Sequence, residues 1–139
     1  LKGKSSKLVS ISDQTCEFAV VNPNFLGIKA NFSWMACTER KTGNAPLQAI
    51  KKVNLETKEE LFWSAAPKGF VSEPIMVPKE GSKHEDEGYL LTLIWNGSRR
   101  GSDLIILNSK TLEELAIYEL PINIPHGLHG SWANEKLIQ

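Results

Sequence analysis

Short apolar runs, each bounded by Gly, Asn, Ser or Pro, recur along the whole chain. Runs of about five to seven β-favouring residues with such boundaries are typical of β-strands, whereas an amphipathic helix shows apolar residues three and four positions apart. The chain contains no helical pattern of useful length. The pattern therefore predicts an all-β fold, with strands close to residues 16–21, 30–38, 47–55, 59–65, 72–78, 89–95, 103–107, 114–120 and 127–132.

Two internal repeats divide these predicted strands into similar units. Glu17, Glu73 and His129 are each 56 residues apart, and each lies in a segment with a strand pattern. The segment 53–61 returns as residues 107–115, with Asn, Thr, two Glu and Leu in register. Periods of about 50 residues are typical of β-propeller blades. Because the first strand of each blade runs closest to the propeller axis, the spacing predicts that these three side chains surround one axial site.

The chain holds about two such four-stranded units and then one further strand. A propeller needs about four to eight blades to close, and two blades alone would leave long unpaired strand edges. The chain also begins without Met. We therefore expect it to be part of a larger propeller.

Charge gives no sign of a nucleic-acid partner, because the 16 basic residues balance the 16 acidic residues. Binding to nucleic acid or to an anionic membrane by counterion release needs a clustered basic surface. We interpret the charge runs Arg99–Arg100 and Glu85–Glu87 as solvated turn residues. No apolar stretch approaches the roughly 20 residues that a membrane-spanning helix needs.

Several other residues are interpreted as structural. Cys16 and Cys37 show no spacing typical of a zinc site or a disulfide framework, so we expect buried free thiols. His84 lies in an acidic loop and is expected to be exposed, and His126 is expected to be structural. The tryptophans are expected to pack the blades rather than line a substrate site: Trp34, Trp63, Trp95 and Trp132.

Several motifs together resemble the C-terminal third of the carotenoid cleavage oxygenases, a family of non-haem iron enzymes. The resemblance covers nearly the whole chain and departs from the family pattern mildly, at Ala19, Glu87 and His126. It implies that residues 1–139 are the C-terminal fragment of a single seven-bladed β-propeller domain, with about two blades and the inner strand of the next. The motifs that carry the resemblance are residues 16–18, 22–23, 72–75, 85–88, 103–107, 111–116 and 124–130.

The resemblance also implies a metal site. Iron(II), Fe(2+), would be held on the propeller axis by four histidines, of which His129 is the only one in this chain. Glu17 and Glu73 would accept hydrogen bonds from ligand imidazoles, which fixes the ring tautomer and raises ligand basicity. Glu73 would pair with His129 at roughly 2.6–3.0 Å, whereas the histidine of Glu17 would lie upstream. No catalytic residue beyond this metal site is implied.

The activity implied is oxidative cleavage of a conjugated double bond in a carotenoid or apocarotenoid by dioxygen, giving aldehyde or ketone products. The remainder of the polypeptide would supply three histidines and the substrate tunnel, so the fragment alone should be inactive. We expect a cytoplasmic or peripherally membrane-associated protein whose membrane contact is made by upstream segments. Alternative functions are a non-catalytic propeller scaffold, cleavage of stilbenoids and isomerisation of retinoids; axial His and Glu residues favour the enzyme over the scaffold.

Overall fold

The computed structural model describes residues 6–40 and 46–135, and within these ranges the chain contains nine β-strands and no α-helix. The predicted all-β fold is therefore confirmed. In the same two ranges the single helical element is a short 3-10 turn over Pro23–Phe25. The strands are β1 (Cys16–Val20), β2 (Phe32–Cys37), β3 (Ala49–Asn54), β4 (Glu60–Ser64), β5 (Gly69–Val71), β6 (Ile75–Pro78), β7 (Gly88–Asn96), β8 (Gly101–Asn108) and β9 (Glu114–Glu119).

The strands form two antiparallel sheets of similar plan. The first sheet has the order β1-β2-β3-β4, and the second has the order β5-β7-β8-β9, with β6 also paired to β7. Strands β5 and β6 lie along the same edge of β7, because Val71 pairs with Ile94 and Ile75 pairs with Leu91. Each sheet is thus an antiparallel meander with four strand positions. In the second sheet, the two short strands β5 and β6 share the first position.

Two predicted strands need correction. Residues 127–132 do not form a strand, and within the described residues the last strand ends at Glu119. A strand needs a neighbour for its N–H and C=O groups, and the described residues contain no other strand of a third sheet. The predicted strand 72–78 is interrupted at residues 72–74, because Pro74 has no N–H to donate to the ladder. The short strand β5, just before this break, was not predicted.

The hydrophobic core lies between the two sheets. Trp34 of the first sheet is fully buried, and its indole Nε1–H donates to the carbonyl oxygen of Ser109 at 2.8 Å, in the turn after β8. Buried aromatic N–H groups usually find such a partner. The continuous buried cluster comprises Trp34, Ala36, Ile50, Val71, Met76, Leu90, Ile94, Ile105, Leu107 and Leu112. The two sheets therefore share one core.

The repeat between residues 53–61 and 107–115 is also a repeat of turn structure. In the β3–β4 turn, Asn54 Oδ1 accepts from the backbone N–H of Thr57 at 3.0 Å, and in the β8–β9 turn Asn108 Oδ1 accepts from that of Thr111 at 3.2 Å. The residue after each threonine has a positive φ, 66° in the first turn and 59° in the second. The shared Asn and Thr positions are thus explained by one turn geometry.

The acidic loop between β6 and β7 was predicted to be a solvated turn, and this prediction is wrong for Glu85 and Asp86. Glu85 is only 6% exposed, and its carboxylate accepts from the backbone N–H groups of Asn31 and Phe32, each at 2.8 Å. Asp86 Oδ2 accepts from Lys52 Nζ at 2.8 Å. The loop lies against the beginning of β2, where backbone N–H groups need acceptors. These carboxylates therefore connect the second sheet to the first.

Candidate functional site

Glu73 lies at the break between β5 and β6. The preceding residue, Ser72, still donates its N–H to the carbonyl oxygen of Leu93 at 2.9 Å, and pairing resumes at Ile75. Between them Pro74 cannot donate a hydrogen bond, so the backbone leaves the ladder at this point. The side chain of Glu73 is mostly buried, at 14% exposure.

The carboxylate of Glu73 joins two neighbouring groups of the C-terminal segment. Its Oε1 lies 3.2 Å from Nδ1 of His129, and its Oε2 accepts from the backbone N–H of Gly130 at 2.7 Å. The pairing distance is slightly longer than the expected 2.6–3.0 Å but remains a hydrogen bond. A carboxylate at Nδ1 places the proton on that nitrogen and leaves the lone pair of Nε2 directed elsewhere. The structure thus brings Glu73 and His129 together across the sequence.

Phe18 holds the same imidazole from the first sheet. Its ring meets the ring of His129 edge-on, with centroids 5.9 Å apart and an interplanar angle of 89°. Phe18 has a φ of 56° and lies within the irregular register between Glu17 and Val20. An irregularity of this kind re-aims side chains at functional positions. This contact was not predicted, because a positive φ at a phenylalanine has no local sequence signal.

Glu17 is exposed on β1, opposite Ala36 of β2. Within the described residues its carboxylate forms no hydrogen bond or ion pair, and it shares no such bond with Glu73 or His129. Its pairing with an upstream histidine stays a prediction.

The backbone at Gly130 approaches β6 closely. A Cβ atom added there would lie 2.8 Å from Cδ1 of Ile75, so a larger residue would displace that side chain. Only glycine permits this approach without such a displacement. The position therefore allows the Gly130 N–H to reach Glu73.

Of the side chains in this site, His129 has the chemistry and the exposure of one metal ligand. His129 has its Nδ1 engaged by a carboxylate and its side chain 75% exposed, so Nε2 is accessible for coordination. In the described part of the chain, no group of three or more His, Cys, Asp or Glu side chains could hold a metal ion together. A complete iron site would need ligands from elsewhere.

An apolar cavity of about 410 Å³ adjoins this pair. Trp132, predicted to pack a blade, instead lines the cavity and is 52% exposed. The tryptophan lies in a segment without strand structure, so it has no sheet to pack against. Concave sites with apolar walls and few polar groups are typical of binding sites for apolar molecules. The walls include Glu73, Ile75, Leu91, Leu93, Leu104, Leu128, His129 and Trp132.

The other histidines and the two cysteines agree with the predictions only in part. His84 is exposed as predicted, and His126 is exposed with its ring edge-on to Phe70 at 6.5 Å. Cys37 is a buried free thiol as predicted, whereas Cys16 is only partly buried. Within residues 6–40 and 46–135, no helix has both the length and the apolar character to cross a membrane.

Comparison with known proteins identifies the family. The family model for retinal pigment epithelial membrane protein matches residues 1–134. The apocarotenoid-15,15'-oxygenase of Synechocystis sp. is 46% identical over 120 residues, which cover 85% of this chain and 24% of that protein. Carotenoid cleavage dioxygenase 8 of Arabidopsis thaliana, a chloroplastic protein, is 34% identical over 113 residues, covering 81% of this chain and 19% of that protein.

Solved structures agree with this relationship. The crystal structure of cobalt-substituted Synechocystis apocarotenoid oxygenase matches with a TM-score of 0.86 and 43% identity, over 88% of this chain and 26% of that one. These structural neighbours are β-propellers, so the two sheets correspond to blades of such a fold. The chain spans about a quarter of the length of the relatives that it matches. The chain therefore belongs to the retinal pigment epithelial membrane protein family, which is the family of the carotenoid cleavage oxygenases.

Proposed function

We propose that this chain is the C-terminal part of an iron(II)-dependent dioxygenase that cleaves a conjugated double bond of a carotenoid or apocarotenoid. The products would be aldehydes or ketones. The observation that carries the proposal is the Glu73–His129 hydrogen bond beside an apolar cavity, in a chain related to an apocarotenoid oxygenase. The domain organisation is part of the proposal: residues 1–139 form two blades and the segment bearing His129, within a single propeller.

His129 would be one of four histidine ligands. Glu73 would hold the His129 ring in the tautomer that directs Nε2 towards a metal, and the N–H of Gly130 donates to the second carboxylate oxygen at 2.7 Å. Phe18 of the first sheet contacts the imidazole edge-on. Glu17 would support a second ligand histidine in the same way. When bound, iron(II) supplies the redox chemistry that activates dioxygen.

The apolar cavity would contribute to the site that accepts the polyene. Its walls, which include Leu91, Leu104 and Trp132, can exclude water from a hydrocarbon but provide few hydrogen bonds. The rest of the polypeptide would supply the other three histidines and most of the tunnel. No nucleic-acid partner is proposed. The proposed location is cytoplasmic or peripherally membrane-associated, and any membrane contact would be made by other segments of the polypeptide.

The decisive experiment uses the full-length protein, purified anaerobically with iron(II) supplied. We expect stoichiometric iron, and we expect carotenoid or apocarotenoid incubated with ¹⁸O-labelled dioxygen to give labelled carbonyl products. Protein that folds but retains no iron and forms no product would overturn the proposal and support a propeller scaffold. Cleavage of stilbenoids only, or isomerised retinoid without cleavage, would retain the fold and metal but replace the substrate or reaction.

A further inference from the structure

The two cysteines of this chain face each other across the first sheet. Cys16 of β1 and Cys37 of β2 are direct cross-strand partners, although they are far apart in sequence. Side chains of directly opposed residues lie on the same face of a sheet and are close neighbours. The pair is thus assembled by strand register, which the cysteine spacing alone did not show.

The hydrogen-bond pattern defines which type of cross-strand pair this is. The backbone N–H of Thr38 donates to the carbonyl oxygen of Thr15 at 3.1 Å, so the bonded pair is the one next to the cysteines. Cys16 and Cys37 therefore occupy a non-hydrogen-bonded pair, in which the Cα atoms are about 4.5 Å apart. Disulfides span Cα distances of roughly 4.4–6.8 Å. The pair lies at the short end of this range, where no large backbone movement is needed.

The two thiols differ in access. Cys37 is fully buried, and burial raises the pKa of its thiol to about 12. Cys16 is partly exposed; burial raises the pKa of its thiol, and the Lys51 ammonium and a hydrogen bond with Ser12 lower it by less. The thiolate is the reactive form of cysteine. Cys16 is therefore the thiol that a soluble oxidant would meet first, and Cys37 is the thiol that would resolve the reaction from within.

We propose that Cys16 and Cys37 form a reversible cross-strand disulfide in the folded protein when a small-molecule disulfide is the oxidant. The Cys16 thiolate attacks one sulfur of the oxidant, forming a mixed disulfide and releasing one thiolate, which takes up the proton that Cys16 lost. The Cys37 thiol then loses its proton and attacks the Cys16 sulfur as the thiolate, and the second oxidant thiolate that is released takes up that proton. Two protein thiols are oxidised, and one small disulfide is reduced to two thiols.

Such a bond would act beside the candidate metal site. Cys16 immediately precedes Glu17, and the register of β1 on β2 becomes irregular between Glu17 and Val20. The disulfide would hold the regular part of β1 in register at the point where the irregular part begins. This inference rests on strand register and does not depend on the proposed oxygenase activity.

The test uses the full-length native protein in buffers of graded oxidised-to-reduced glutathione ratio, followed by acid quenching, alkylation in denaturant and non-reducing trypsin digestion. Lys29 lies between the cysteines, so trypsin separates them into peptides 8–29 and 30–40. The expected result is a linked pair of these peptides that disappears with dithiothreitol. Cys16→Ser and Cys37→Ser, made separately, should each abolish the linked species, and a parallel titration in urea measures the unfolded chain.

The native protein should form the link at a glutathione ratio at least about tenfold less oxidising than the unfolded chain does, because the fold raises the effective concentration of the pair. Three results would overturn the proposal: both peptides recovered alkylated at the most oxidising ratio, Cys16 recovered only as a glutathione adduct, or a link that forms no more readily in native protein than in urea.

Discussion

Both carboxylate oxygens of Glu73 form hydrogen bonds, one with a side chain and one with a backbone N–H of the C-terminal segment. The bonds to His129 Nδ1 and to Gly130 N–H are 3.2 Å and 2.7 Å long. The segment that carries them has no strand of its own in the described residues. One side chain therefore orients the imidazole and also attaches its backbone to the second sheet.

Replacing Glu73 with Gln should weaken iron retention by about 10–100-fold while the fold is kept. The amide oxygen can still accept from Nδ1, but it lacks the charge that raises ligand basicity. Iron retained by the full-length variant during titration with a chelator measures the effect. Glu80→Gln is the matched control, because Glu80 is exposed on the following loop. Equal iron retention in wild type and Glu73→Gln would contradict the assigned role.

Replacing His129 with Ala should abolish oxygenase activity, because a ligand is removed outright rather than reoriented. Product formation and iron content of the full-length variant are the measurements. His84→Ala serves as the control, since His84 is an exposed histidine outside the site. A His129→Ala protein with wild-type turnover would exclude this residue as a ligand.

At the scale of elements, the loop between β6 and β7 binds the first sheet by buried charge. Glu85 caps two backbone N–H groups at the beginning of β2, and Asp86 pairs with Lys52, whose ammonium also lies 4.4 Å from the Phe32 ring centroid. Removing one partner of a buried, hydrogen-bonded charged group is strongly destabilising, because the other partner is left unsatisfied. The contact between sheets is thus polar at its edge and apolar at its centre.

Glu85→Ala should lower the free energy of unfolding of the full-length protein by about 2 kcal/mol or more, because the backbone N–H groups of Asn31 and Phe32 lose the carboxylate that accepts from them. The denaturation midpoint measures the change, and Glu80→Ala, on the exposed part of the same loop, should change it little. Equal midpoints for the two variants would show that the Glu85 contacts do not stabilise the fold.

The repeated turns offer a second pair of matched positions. Lys58 and Leu112 have nearly the same positive φ, but Lys58 is exposed and Leu112 is 4% exposed within the core. Lys58→Gly should stabilise the protein by up to about 1 kcal/mol because it relieves left-handed strain. Leu112→Gly should destabilise it by about 2–4 kcal/mol because the lost packing outweighs that relief. Denaturant unfolding of both variants should give shifts of opposite sign; shifts of the same sign would contradict this account.

At the scale of the whole molecule, the two sheets leave apolar surface uncovered. Strand β9 exposes Leu115, Ile117 and Tyr118 by half or more of their surface, and β4 exposes Leu61 and Phe62 by more than 40%. Outer strands with unpaired edges and apolar side chains favour aggregation. The proposed propeller would cover part of this surface with neighbouring blades.

Residues 1–139 expressed alone should therefore be poorly soluble or partly unfolded. Size-exclusion chromatography and thermal unfolding, compared with the full-length protein, test this expectation. A monomeric fragment that unfolds in one cooperative transition would contradict the proposed domain organisation.

Local features of the sequence were sufficient for the all-β class, for most strands and for the repeated Asn–Thr turns. The residue patterns that predict strands and turns extend over only a few positions, so each pattern can be recognised within its own segment. The proximity of Glu73 and His129 was also predicted, from the fixed repeat length, and the structure places Glu73 Oε1 3.2 Å from Nδ1 of His129.

Contacts between distant segments were decided only by the tertiary structure. The burial of Glu85 depends on unpaired N–H groups at the beginning of β2, 53 and 54 residues away. The pairing of Cys16 with Cys37 depends on strand register, and the exposure of Trp132 depends on a strand that does not form without a neighbour. A single sequence shows which residues can form hydrogen bonds, but it does not show which distant residues will be their partners. The local pattern therefore determined the strands and turns, whereas the contacts between distant segments were determined by the packing of the two sheets.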